Sequence, residues 1–274
     1  MQLREPIALP ERVLLSQLAS FMAQPNETPA PSASTRNDSV LMVQNRSYAD
    51  QQFVVFAEKP EFTSGQYPDK IFTTVYQASL KVASSSGSAT FVLADCSIPT
   101  SDEYSRRIYV MTGHAHTKLG DGVTLYPNDT KVLKLSTETR STQSSCTVTI
   151  PAESAPRFLK NEVEKPPQLS DGEVQIKVDT SFRYPDAGYP FVGLGVPNPF
   201  DRDVIIPITA WEAIPGTNYI LRPSSIWKCV RGKKAVREII DPNAWSEFAT
   251  INLTKPKMEK MVTFRADGTF TDNQ

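Results

Sequence analysis

The chain has 274 residues, a mass of 30.4 kDa and a formal net charge of −1, from 29 Lys and Arg against 30 Asp and Glu. That is one large domain or two small ones, with ample chain for a core. The balanced charge argues against a strong charge-driven nucleic-acid field, and no run reaches the roughly 18 apolar residues of a membrane helix. Three cysteines, Cys96, Cys146 and Cys229, are too few and too far apart for a disulfide scaffold or a zinc ribbon. Met1 to Pro10 lacks the charged start and apolar run of a signal peptide. The sequons at Asn26, Asn37, Asn45, Asn128 and Asn252 are therefore expected to stay unmodified, in a protein made in a reducing cytoplasm.

In chain order, Pro10-Glu11 opens a predicted helix, because Pro suits the first helical position and Glu11 suits the positive end of the dipole. Leu14, Leu18, Phe21 and Met22 give it one apolar stripe, and Pro25 ends it. A helix of about four turns cannot bury such a stripe alone, so the stripe is expected to dock on something. Pro25 to Ser39 has no large apolar residue. It reads either as a flexible linker or as an arm that orders on a neighbouring subunit. Residues 1–50 are thus assigned to an N-terminal helix and arm.

From residue 51 the period changes to two. Predicted strands are Gln52–Ala57, Ile71–Val82 (with Phe72, Tyr76, Ala78, Leu80 and Val82 on one face), Thr90–Asp95, Arg107–Thr112 and Lys131–Ser136. They continue with Ser145–Ile150, Glu173–Arg183 and Asp203–Trp211. In Glu173–Arg183, the residues Val174, Ile176, Val178 and Phe182 face inward, and Glu173, Gln175 and Lys177 face outward. Pro207 lies inside the last strand, which implies an edge or a bulge. Eight antiparallel strands favour an all-β, eight-stranded jelly-roll sandwich over 51–223.

Such a domain is complete near Pro223, which leaves 224–274 as a C-terminal extension. It carries the basic cluster Arg231, Lys233, Lys234 and Arg237, then a short helix capped by Asp241 with Pro242 first, and a strand-like run Met261–Phe264. Its large apolar residues imply order, and Trp227 and Trp245 are expected to anchor on a neighbouring subunit. The basic cluster suits either RNA phosphates or an acidic partner surface.

Catalytic motifs are sparse. His114 and His116 have strand i, i+2 spacing, which lets both imidazoles grip one ion, as in cupin-like metal enzymes. The chain has no third His, and no Glu follows the pair closely. Cys146 alternates into a buried face with Val148 and Ile150 and reads as a small hydrophobe. Gly193-Leu194-Gly195 lacks the strand-then-helix context of a dinucleotide site. Tyr184, Tyr189 and Phe191 suggest a carbohydrate-binding surface as a third alternative. No catalytic residue and no cofactor is assigned.

Lys131–Ser136, then Gln143-Ser144-Ser145-Cys146-Thr147-Val148-Thr149-Ile150-Pro151, resembles strands F and G of picorna-like virus capsid proteins. Ser170-Asp171-Gly172-Glu173 with Val174–Phe182 is similar to strand H. Asp203–Trp211, followed by Pro215 to Pro223 (PGTNYILRP), is similar to strand I and its exit. The resemblance covers about 130–223. It departs from the family at Ala152–Phe158, where an aromatic-rich segment is usual, and the motifs of vertebrate picornaviruses are absent. That points to an invertebrate, Nora virus-like group. The resemblance implies a non-enzymatic jelly-roll subunit that assembles with two sibling jelly rolls and copies of itself around genomic RNA. Its place would be the virion, after synthesis in host cytoplasm. The terminal Gln274 resembles the residue after which picorna-like polyproteins are cut.

Overall fold

Residues 38–94, 107–136, 144–151, 155–159, 168–183, 188–254 and 257–273 are described in the computed structural model. Leu14, Leu18, Phe21, Cys96, Tyr184 and Gln274 lie outside them. The described chain is built from strands: β1 (Ser39–Asn45), β2 (Phe53–Ala57), β3 (Glu61–Gly65), β4 (Phe72–Thr74), β5 (Gln77–Ala78), β6 (Ser88–Leu93) and β7 (Arg107–Ala115). They continue with β8 (Asp129–Lys134), β9 (Ser145–Thr149), β10 (Arg157–Phe158), β11 (Val174–Val178), β12 (Tyr189–Pro197) and β13 (Ile205–Glu212). Last come β14 (Asn218–Arg222), β15 (Ile226–Arg231), β16 (Ile239–Ile240), β17 (Ala249–Asn252), β18 (Glu259–Phe264) and β19 (Phe270–Asn273). Among the described residues the only helical turn is a 3-10 turn at Pro242–Ala244. The all-β class expected from the sequence is therefore observed.

Among the described residues four sheets form, ordered β19-β18-β1-β6, β17-β15-β2-β5, β16-β4-β13-β12-β7-β8 and β10-β9-β11-β14-β3. All four feed one main core. Leu41 and Phe264 come from the first, Phe53 and Trp227 from the second, Val192 and Trp211 from the third, and Ile176 and Tyr219 from the fourth. Alternation explains the simple strands. In β1, Ser39, Leu41, Val43 and Asn45 are buried while Val40, Met42 and Gln44 are half-buried. β2 (FVVFA) is buried on both faces: Phe53 and Val55 enter the main core, and Val54 and Phe56 enter a second cluster with Val230 and Ile240. A third cluster, including Phe72, Leu125, Phe191 and Ile239, includes segment 119–125 beside strands of the six-stranded sheet. Close approach fixes Gly193, because a Cβ there would stand 2.2 Å from the Thr209 carbonyl oxygen of β13.

Most pairs are antiparallel, but β1–β18 and β9–β11 are parallel. This departs from the jelly roll expected from eight strands. The hairpin β7–β8 matches the E–F pair of that plan. β11, expected as strand H, instead lies parallel to β9 and antiparallel to β14. β13 pairs with β12 and β4. Strands not foreseen take places in the ladders: β14 beside β11, β12 beside β13, β1 beside β6 and β15 beside β2. Pro207 sits beside an irregularity in the β12–β13 register, the bulge expected of it.

The run 71–82 is not one strand. Val75 leaves the ladder: its N–H donates to the Glu238 carbonyl and its carbonyl accepts from the Arg237 N–H, while the Tyr76 N–H donates to the Val55 carbonyl. The chain thereby crosses from the six-stranded sheet to the second sheet, and Leu80, expected inside, is 76% exposed. The strand expected over 173–183 ends at Val178, where Asp179 accepts from the Ser181 N–H and starts a turn. Val174, Ile176 and Val178 are buried as expected, but Glu173 and Gln175 are buried too.

Two domain boundaries are corrected. The arm assigned to 1–50 ends in β1, which is an integral core strand. The extension 224–274 is not outside the body. β15 lies between β2 and β17, β18 pairs with β1, and Ile239 and Ile240 of β16 pair with β4. Residues 36–274 form one unit.

At one seam between sheets a side chain replaces a strand. The Gln77 amide donates to the Val92 carbonyl, and its oxygen accepts from the Val92 N–H. The outer edge of β6 is thus capped at Val92.

Candidate interaction surfaces

The histidine pair sits where β7 ends. His114 is half-buried, and its backbone N–H donates to Asn128 Oδ1 at 3.0 Å; His116 is exposed just past the strand. Among the described residues, no three His, Cys, Asp or Glu side chains stand close enough to hold one metal ion. The cupin-like alternative gains no further ligand from the described residues.

The basic cluster is divided by its own structure. β15 carries the Arg231 guanidinium over the Phe264 ring at 5.8 Å. Lys234 bonds Glu238 at 2.8 Å and approaches Asp121 at 3.5 Å. The Glu238 bond, before any other cause, holds the Lys234 amine above its ordinary pKa. Arg237, in the left-handed region at φ 71, stacks on Tyr126 at 5.7 Å. Lys233 is exposed. Backbone bonds run alongside: the Leu125 N–H donates to the Arg237 carbonyl, and the Ile239 N–H to the Val123 carbonyl. Two of the four cations, Lys234 and Arg237, therefore fasten the tail to the body, Arg231 lies over a ring of the tail itself, and the four do not present one bare phosphate-binding patch.

The tryptophan anchors need correction. Trp227 is 1% exposed and packs on Tyr76 at 4.9 Å, so it is spent on the chain's own core. Trp245 follows the 3-10 turn, where Asp241 caps as expected by accepting from the Asn243 N–H at 3.0 Å. It is half-buried against Phe56 and Gly232 of the same chain. The expected apolar residues are present, but they rest on their own body. Of the proposed carbohydrate-binding aromatics, Phe191 is fully buried and Tyr189 is 37% exposed.

The aromatics that do face solvent were missed by the alternation argument. Tyr48 is 91% exposed, Tyr67 and Phe200 64%, and Tyr126 57%. All four sit in loops, where no period reports burial. Neither of the two described cysteines faces solvent. Cys146 and Cys229 are buried, and burial alone pushes the Cys229 thiol far above its ordinary pKa. Burial likewise raises the Tyr219 phenol. At the β18–β19 turn, bonds from Thr269 hold Asp267 below the usual carboxylate range.

No protein-family model, curated protein or solved structure matches the chain. Among the described residues no helix is long and apolar enough to cross a membrane.

Proposed function

We propose that this chain is a structural, assembly-forming subunit of the picorna-like virus capsid type, acting through contacts between subunits and not through catalysis. One observation carries the reading: four segments resembling strands F to I and their exits follow one another in the right order between 131 and 223. The all-β body agrees with it. On this reading the fold is a modified jelly roll with β7–β8 as its E–F hairpin, and the parallel pairings are the departure that the reading must accommodate. The partners are sibling subunits and further copies of this chain, with weak RNA contact through the exposed members of the cluster, Lys233 and Arg231. The place of action is the virion, after synthesis in host cytoplasm.

The test is mass spectrometry of non-enveloped particles from the source, banded on a density gradient and treated with nuclease. This chain should co-purify with nuclease-protected RNA and with other β-rich subunits in fixed ratio. Recovery of the chain only from particle-free fractions overturns the proposal.

A further inference from the structure

β18 and β19 form a hairpin that is complete in itself. Lys260 bonds Asp272 at 3.0 Å across it, Asp267 accepts from the Thr269 N–H at the turn, and Phe264 packs on Phe270 at 5.0 Å. It is attached to the rest of the fold by one parallel ladder with β1, running from Val40–Glu259 to Asn45–Phe264, by a bond from the Lys260 ammonium to the Thr250 carbonyl of β17 at 3.0 Å, by Arg231 of β15 over the Phe264 ring, and by apolar contacts. Val262 and Phe264 are buried, and Phe264 and Phe270 meet Phe53 at 5.6 and 6.1 Å. Without the hairpin, β1 would be an open edge presenting unpaired backbone groups, the template for strand addition.

The chain enters this hairpin under strain. Lys257, two residues before β18, has φ 56, the left-handed region that residues other than glycine, Asn and Asp rarely adopt. An extended connector releases that strain. A hairpin that leaves its own β1 and settles on the β1 of another copy keeps every ladder bond and every aromatic contact. The balance then depends on connector strain and on association entropy. Short, strained connectors tip such balances toward exchange.

We infer that the β18–β19 hairpin is an exchangeable element, and that two copies of this chain can pair by each placing its hairpin on the β1 edge of the other. The inference does not depend on the capsid reading: exchange without particles, or particles without exchange, would separate the two.

Met42 and Met261 are register partners on half-buried positions of β1 and β18, so cysteines there test the geometry without entering the core. Chains carrying Met42→Cys alone and Met261→Cys alone, each in a Cys96→Ser background, are refolded together and oxidised. Exchange yields a mixed disulfide dimer on non-reducing gels, in a yield that rises with protein concentration. Lys257→Gly relaxes the closed connector and should lower that yield several-fold. Lys257→Pro, which cannot hold a positive φ, should raise it. A yield no higher than that of a Leu80→Cys and Met261→Cys control pair, at every concentration, overturns the inference. A dimer yield that ignores both Lys257 substitutions overturns connector strain as its cause.

Discussion

Trp227 decides whether the C-terminal fifty residues belong to this body or to a neighbour. Its ring is 1% exposed, lies 4.9 Å from the Tyr76 ring, and is carried by a strand paired on both sides, Trp227 opposite Ala57 of β2 and Ile251 of β17. Removing a buried tryptophan deletes its transfer energy and leaves a cavity, together about 3–5 kcal/mol. A whole domain is stable by about 5–15 kcal/mol, so Trp227→Ala should consume a large share of it. Trp245 is half-buried at the rim of the second cluster, 6.4 Å from Phe56, and Trp245→Ala should cost about 1–2 kcal/mol. The assay is urea unfolding followed by far-UV circular dichroism, at concentrations where only isolated subunits are present. Were either residue an anchor kept for another subunit, its substitution would leave the isolated chain within about 0.5 kcal/mol of wild type. A Trp227→Ala loss below about 1 kcal/mol refutes the placement of β15 in the core.

Gln77→Ala strips both bonds from the Val92 backbone and should cost about 2 kcal/mol, with Gln77→Glu at least as damaging because a carboxylate then faces the Val92 carbonyl; equal melting temperatures for all three proteins would remove the capping role. Val178, 2% exposed in β11, should tolerate no charge: Val178→Asp is expected to cost about 3 kcal/mol or more and Lys177→Asp under about 1 kcal/mol, and equal costs would mean the strand is shifted by one residue. In a Cys96→Ser background, thiol reagents should label no cysteine in the native protein and both Cys146 and Cys229 after denaturation, so fast native labelling would contradict their burial. Lys234 has a raised pKa in the folded chain, so its contribution is complete at neutral pH and is lost as pH climbs past 10.5 and through the raised value. The gap in unfolding midpoint between wild type and Lys234→Met should hold constant across neutral pH and close in that alkaline range; a gap that instead widens there reverses the sign.

What the sequence made legible was local. β9 and β11 alternate cleanly, and a period of two reports a buried face without any knowledge of the partner strand. β12 escaped notice because it is buried on both faces and holds two prolines and two glycines, so YPFVGLGVP shows no period. β1 hid at the end of a polar segment, and its partner β18 lies far along the chain; Met258 donates to the Ser39 hydroxyl across 219 residues. In the basic cluster, the Glu238 partner of Lys234 was readable as an i, i+4 pair, but Asp121 was not. For Trp227, burial was foreseeable from composition, whereas the identity of the body that buries it was not. Alternation says that a face is covered and is silent about which chain covers it.

That silence bears on how the molecule completes itself. β1 is synthesised long before β18, which closes its outer edge. A contact spanning most of the chain carries a large loop-closure cost and forms late. Until it forms, the outer backbone groups of β1 have no strand partner. The other long-range edge, β6, does not have this exposure, because Gln77 lies only 15 residues from Val92 and caps it from within the same stretch of chain. The fold therefore leaves one edge open in time, and the element that fills it is the one that arrives on a strained connector. A second copy at high local concentration offers the same hairpin with a shorter wait, so intermolecular pairing is favoured most at β1, where the chain's own order of synthesis delays closure longest.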